Sequence, residues 1–98
     1  MTETQRVVMI VHGRVHGVFF RDSTMRKARE LGLAGNVRNL ADGTVRIEAQ
    51  GPAAALKSLV LWAHEGPPAA VVTEVRTSYG PPAPGLTGFT IQFQEPGG

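Results

Sequence analysis

Residues Val7-Val8-Met9-Ile10-Val11 form an apolar run rich in β-branched side chains, which favours a strand over a helix. The stretch from Gln5 to His12 reads as a central strand with both faces covered. It empties into His12-Gly13-Arg14-Val15-His16-Gly17-Val18-Phe19-Phe20-Arg21, and Met25, Ala28 and Leu31 then recur at helical spacing. A strand that ends in a glycine-bearing loop and passes at once into a helix gathers unpaired backbone N–H groups, at a point where the helix dipole favours negative charge. The segment suits an oxyanion. Arg21 stands at the junction, and its planar fork of donors matches a phosphoryl group better than a lysine would.

The rest of the chain reads as a short series of elements. A first helix spans 22–32, with Asp22, Ser23 or Thr24 available as caps and Gly32 as its stop. Asn36 to Leu40 and Thr44 to Gln50 flank Ala41-Asp42-Gly43, and Val45, Ile47 and Ala49 alternate with Arg46, Glu48 and Gln50, as in a half-buried hairpin strand. Pro52 opens a second helix at its first position, Leu56, Leu59, Val60 and Ala63 share one face, and Gly66-Pro67-Pro68 ends it. Val71 to Tyr79 and Gly88 to Phe93 read as two further strands. This order predicts an α+β, ferredoxin-like split βαβ sandwich, βαββαβ with a short extra final strand. Its antiparallel sheet carries both helices on one face. Residues 1–98 then make one domain, with 1–4 and 95–98 as flexible tails.

Composition narrows the function classes. The chain has 98 residues and no cysteine, which excludes disulfides, a cysteine nucleophile and thiolate zinc sites. No segment offers the ~20 apolar residues of a membrane helix, and Met1-Thr2-Glu3-Thr4-Gln5 lacks a basic, apolar leader, so no membrane partner and a cytoplasmic location are expected. Residues 1–46 carry eight basic side chains against four acidic ones and the remainder two against four, so the positive field lies on the half with the glycine loop. Nucleic acid is not the expected partner, because the strand Thr44–Gln50 has no aromatic residue to stack on bases.

A second cluster, Gly35-Asn36-Val37-Arg38-Asn39-Leu40-Ala41-Asp42-Gly43-Thr44-Val45, follows the first at short range. Together with Gly13-Arg14-Val15-His16-Gly17-Val18-Phe19-Phe20-Arg21, Leu31-Gly32-Leu33 and the closing Gly88-Phe89-Thr90-Ile91, it resembles the acylphosphatase family over almost the whole chain. The resemblance implies a small monomeric enzyme, independent of metal and cofactor, that hydrolyses acyl phosphates to a carboxylate and inorganic phosphate. It further implies that Arg21 binds the phosphoryl group and that Asn39 places the attacking water. On the same resemblance, Arg21 and the backbone N–H groups of Val15, His16, Gly17, Val18, Phe19 and Phe20 would form the phosphate cradle. Members usually carry an aromatic residue where this chain has Asn36, a departure that bears on the packing of the second strand.

The chemistry is coherent on its own terms. The carboxylate of an acyl phosphate leaves without a general acid, so the protein has only to bind phosphate, compensate charge and aim a water. Taken singly, Arg21 is a helix-start residue and Asn39 a turn residue feeding Asp42-Gly43; their joint placement makes them catalytic candidates. His12 and His16 straddle a strand end and are not expected to form a metal pair. His64 reads as a cation at a helix C-terminus, Phe19 and Phe20 as core anchors, and Trp62 as helix packing at a partly exposed edge. Two rival readings are a regulatory module that binds an anion without turning it over and a domain serving a larger carbamoyl-transfer enzyme.

Overall fold

A computed structural model describes residues 3–93 of the chain. The first strand, β1 (Thr4–Arg14), buries Val7, Met9 and Val11 completely, while Val8 and Ile10 are only half-buried. The strand is central but covered on one side only, which corrects the expectation of two covered faces. Helix α1 (Phe20–Glu30) and helix α2 (Ala53–Glu65) contribute Phe20, Thr24 and Ala28, and Leu56, Leu59 and Ala63, to the core that receives the odd-numbered residues of β1. The same core takes Val37 from β2 (Ala34–Asn39) and Val45, Ile47 and Ala49 from β3 (Val45–Pro52). Both helices therefore lie on one face of the sheet. Fully burying each of these larger apolar side chains is worth roughly 1.5–3 kcal/mol.

With β4 (Val71–Gly80) and β5 (Phe89–Ile91), the sheet has the order β4-β1-β3-β2-β5. β1 pairs antiparallel with both β3 and β4, and β2 pairs antiparallel with β3, as the ferredoxin-like reading requires. The short β5 instead runs parallel to β2, with Gly35 opposite Phe89 and Val37 opposite Ile91, so the sheet is mixed rather than wholly antiparallel. One register row positions the site. Val11 of β1 faces Val45 of β3, and Val45 in turn faces Asn39 of β2. Asn39 thus sits on the row at which the pairing of β1 with β3 ends, while β1 continues beside β4 to Arg14 and then enters the glycine loop.

Element boundaries move by a few residues from their sequence positions. β1 begins at Thr4, which pairs with Pro52, so regular structure starts inside the stretch assigned to a tail. Residues 1–2 and 95–98 of the expected tails lie outside the described residues. α1 begins at Phe20 rather than at 22, and Pro52 is the residue flanking α2 rather than its first helical position, because it still closes the ladder of β3 with β1.

The uncovered face carries a charged network beside Val8 and Ile10. Glu48 accepts from Arg6 Nε at 2.6 Å and from Asn36 Nδ2 at 3.0 Å, and Arg46 lies 3.7 Å away. Burial pushes the Glu48 carboxyl up, but the Arg6 and Asn36 hydrogen bonds and the charges of Arg6 and Arg46 outweigh it and hold the pKa below the usual glutamate value. Asn36 is nearly buried and serves as a donor in this network, a polar solution at a position where an aromatic residue was the usual expectation. Among the described residues no helix is long and apolar enough to cross a membrane.

Candidate active site

The loop is built by backbone choices that few residue types allow. The β1–β4 register shifts between His12 and Gly13, and Gly13 adopts φ 127° there. A Cβ on Gly13 would run into the carbonyl oxygen of Val71, so glycine is required where the β1–β4 ladder is bulged. Gly17 follows with φ 71°, another conformation L side chains rarely adopt. Val15 and Val18 point into the core and pin the loop at two places, leaving the intervening backbone outside.

Phe19 then takes φ 61°, ψ 27° as the residue flanking α1 and makes no side-chain cap. A left-handed non-glycine residue costs on the order of 1–3 kcal/mol, and a cap lacking a side-chain acceptor forgoes about 1 kcal/mol more. The first backbone hydrogen bond leaving this junction is Ser23 N to Phe19 O, at 3.0 Å. Among the described residues, no backbone or side-chain acceptor takes the N–H groups of Val15 to Phe19, and the first turn of α1 leaves its own N–H groups free by construction. Phe20, fully buried, anchors the start of the helix by packing on Trp62 at a ring-centroid distance of 5.6 Å. The two phenylalanines therefore divide their roles. Phe20 is a core anchor as expected, whereas Phe19 is 81 % exposed and is not.

A pocket of about 310 Å³ opens at this junction, lined by Val15, Gly17, Phe19, Phe20, Arg21, Asp22, by Asn39 of β2, by Ile91 of β5 and by Phe93 just past β5. Arg21 and Asn39 are thereby brought to one cavity. Among the described residues no carboxylate lies within ion-pair distance of Arg21, and neighbouring Asp22 is engaged by Arg26 at 3.0 Å. The Arg21 guanidinium instead lies over the ring of Phe93, 5.1 Å from its centroid, which leaves the in-plane N–H donors available. The Oδ1 atom of Asn39 is buried and has no hydrogen-bond partner among the described residues. An uncompensated cation, a helix N-terminus and unpaired N–H groups on one side of a cavity can hold an oxyanion, and a side-chain amide on the other can hold a water.

Asn39 is held by a turn that closes on itself. Leu40 N donates to Thr44 O at 2.8 Å and Gly43 N to Leu40 O at 3.1 Å. Asp42 Oδ1 accepts from Thr44 N at 3.0 Å and from Thr44 Oγ1 at 2.6 Å, and these bonds hold its carboxyl below the usual aspartate range. The loop is tied to this turn by a side chain. His16 Nε2 lies 2.8 Å from Thr44 O, the same carbonyl that receives Leu40 N.

The sequence-derived residues do not all reach the cavity. Arg21, Asn39, Val15, Gly17, Phe19 and Phe20 line it; Val18 points to the core and the His16 side chain to Thr44, so these two border it with backbone at most. Ile91 and Phe93 escaped the sequence reading, which had placed them in the final strand. Only the parallel docking of β5 beside β2 brings them to Arg21, and no local pattern signals that pairing.

Comparison with known proteins points the same way. A family model described as Acylphosphatase matches residues 7–91. An acylphosphatase of Rubrobacter xylanophilus is 49% identical over 90 residues, covering 92% of this chain and 82% of that protein. One from Marinobacter nauticus is 52% identical over 81 residues, 83% of this chain and 88% of its own. The crystal structure of an acylphosphatase from Bacillus subtilis superposes with a TM-score of 0.87 at 38% identity, over 90% of this chain and 98% of that one.

Proposed function

The chain belongs to the acylphosphatase family and is an enzyme that hydrolyses acyl phosphates, and from that premise we propose how its own residues carry the reaction. The phosphoryl group lies in the cradle of Val15 to Phe20 backbone N–H groups, with Arg21 donating two in-plane N–H bonds to its oxygens. Asn39 holds the water in line on the opposite side. The observation that carries this reading is the common cavity of Arg21 and Asn39, in which the arginine has no carboxylate partner among the described residues.

In the step itself the water oxygen bonds to phosphorus and the bond from phosphorus to the carboxylate oxygen breaks. The electron pair leaves with the carboxylate, and the water proton passes to a phosphoryl oxygen. Preorganised donors compensate the charge spread over the phosphoryl oxygens without rearranging during the reaction. The leaving carboxylate is a weak base and takes no proton, so the loop has no use for an Asp or Glu between Gly13 and Phe20, and the sequence has none. The reading is of a metal-independent, monomeric catalyst formed by one domain and working in the cytoplasm.

The test is phosphate release from an aromatic acyl phosphate and from a simple phosphate monoester, each with a strong chelator present. Rapid release from the first only is expected. Turnover abolished by the chelator would remove the metal-independent reading, and tight phosphate binding without any turnover would favour a regulatory anion-binding module.

A further inference from the structure

We propose that His16 is a positioning residue for the hydrolysis: its side chain fixes the gap between the phosphate loop and the turn that follows Asn39, and so sets where the water stands against phosphorus. The inference rests on the reading of Asn39 as the residue that holds the water, and adds what holds Asn39 relative to the cradle.

Each half of the site is closed within itself. Buried Val15 and Val18 pin the loop to the core, and the turn from Leu40 to Thr44 closes on its own backbone bonds and on Asp42. Neither set of contacts ties one half to the other. Among the described residues, the hydrogen bond that spans the gap is His16 Nε2 to Thr44 O, at 2.8 Å, and no other runs from residues 15–19 to residues 39–44. Its acceptor is the point where the turn is stitched shut, because Thr44 O also takes Leu40 N at 2.8 Å, from the residue that directly follows Asn39. A carbonyl oxygen has two lone pairs, so both donors are served at once. Displacement of the loop at His16 therefore reaches Asn39 through one carbonyl and one peptide unit.

Two further observations separate this role from packing and from proton transfer. His16 is exposed while Val15 beside it is buried, so removing the imidazole leaves no cavity in the core. A ring nitrogen that faces a carbonyl oxygen carries its hydrogen in the neutral ring as in the cation, so Nε2 is a donor and is not free to take the proton of the water. What the side chain supplies is a donor at a fixed reach.

The experiment measures kcat on benzoyl phosphate, the inhibition constant of inorganic phosphate and the melting temperature for His16→Ala, His16→Asn and His16→Gln, and repeats the alanine change in the Asn39→Ala background. His16→Ala should lower kcat about ten- to a hundredfold, the range that a misplacement of up to about 1 Å brings, with phosphate inhibition and melting temperature near the parent values. His16→Gln, whose amide nitrogen reaches as far as Nε2 and does not titrate, should restore most of the lost kcat, and the shorter His16→Asn should not. In the Asn39→Ala background, with no water ligand left to place, the added His16→Ala should change kcat by less than about twofold, the scatter expected of independent sites. An equal loss in both backgrounds overturns the positioning role and leaves the hydrolytic reading standing. A His16→Gln variant as impaired as His16→Ala overturns it in favour of proton transfer, and a phosphate affinity that falls as far as kcat overturns it in favour of a support for the cradle. Full turnover in Asn39→Ala removes the water-holding reading of Asn39, and the role of His16 with it.

Discussion

The two segments that meet at the cavity are built on opposite principles. The turn from Leu40 to Thr44 satisfies itself: two backbone hydrogen bonds close it and the Asp42 carboxylate receives both donors of Thr44. The loop from Val15 to Phe19 leaves its N–H groups without acceptors among the described residues, carries a left-handed phenylalanine, and is held by buried Val15 and Val18 and by the His16 contact to Thr44. The turn closes on its own hydrogen bonds, whereas the loop keeps open donors that the proposed phosphoryl group would complete. On the proposed mechanism the contrast makes binding and alignment separable: the loop and Arg21 would govern affinity for the phosphoryl group, and the turn would govern where the water stands.

Arg21 gives the sharpest way to break that division. Arg21→Ala should lower kcat/KM by more than about a thousandfold, at or beyond the upper end for losing a single preorganised donor, since a full charge goes with it. It should also weaken competitive inhibition by inorganic phosphate, with circular dichroism unchanged. A folded variant that keeps most of its turnover removes the loop from the mechanism.

Asn39 tests the other side. Asn39→Ala should lower kcat by about a hundredfold, because its contact with the water belongs to the transition state. The phosphate dissociation constant, measured by calorimetry, should stay near the parent value. If phosphate affinity fell as far as in Arg21→Ala, the two sides would not be separable and Asn39 would be a phosphate ligand.

The smallest effect belongs to Asp42, which supports the turn from outside the cavity. Hydrogen bonds from Thr44 lower its folded pKa, so its charged form contributes stability above the ordinary aspartate range, and that contribution is lost as the pH falls through the lowered value. Asp42→Ala should therefore melt below the parent at neutral pH, with kcat reduced more than phosphate affinity, and the gap in melting temperature should close in acid. A gap independent of pH would assign the loss to packing rather than to the carboxylate.

Much of this was legible before any coordinates because it depends on short-range patterning. The alternation of Val45, Ile47 and Ala49, the helical spacing of Met25, Ala28 and Leu31, and the glycines at 13 and 17 each report a local backbone state, and together they imply the ferredoxin-like order. The joint occurrence of Arg21 and Asn39 in two spaced motifs marked both as one candidate site. The helix start was misplaced because Asp22, Ser23 and Thr24 are good caps by composition. The chain instead begins the helix at Phe20, whose burial against Trp62 outweighs the missing cap.

What the sequence by itself determined is the set of elements, their order, and which residue types stand at the bends, since each follows from side-chain period and backbone permission over a few neighbours. Tertiary structure alone decided which face each side chain meets and which distant strands adjoin. Val8 and Ile10 are as apolar as Val7 and Val11, yet they lie on an uncovered sheet face because both helices pack on the other. Phe19 and Phe20 are identical neighbours, and only the left-handed bend between loop and helix sends one to the cavity rim and the other into the core. Ile91 and Phe93 reach Arg21 through the parallel pairing of β5 with β2, a long-range contact whose partners no local propensity names.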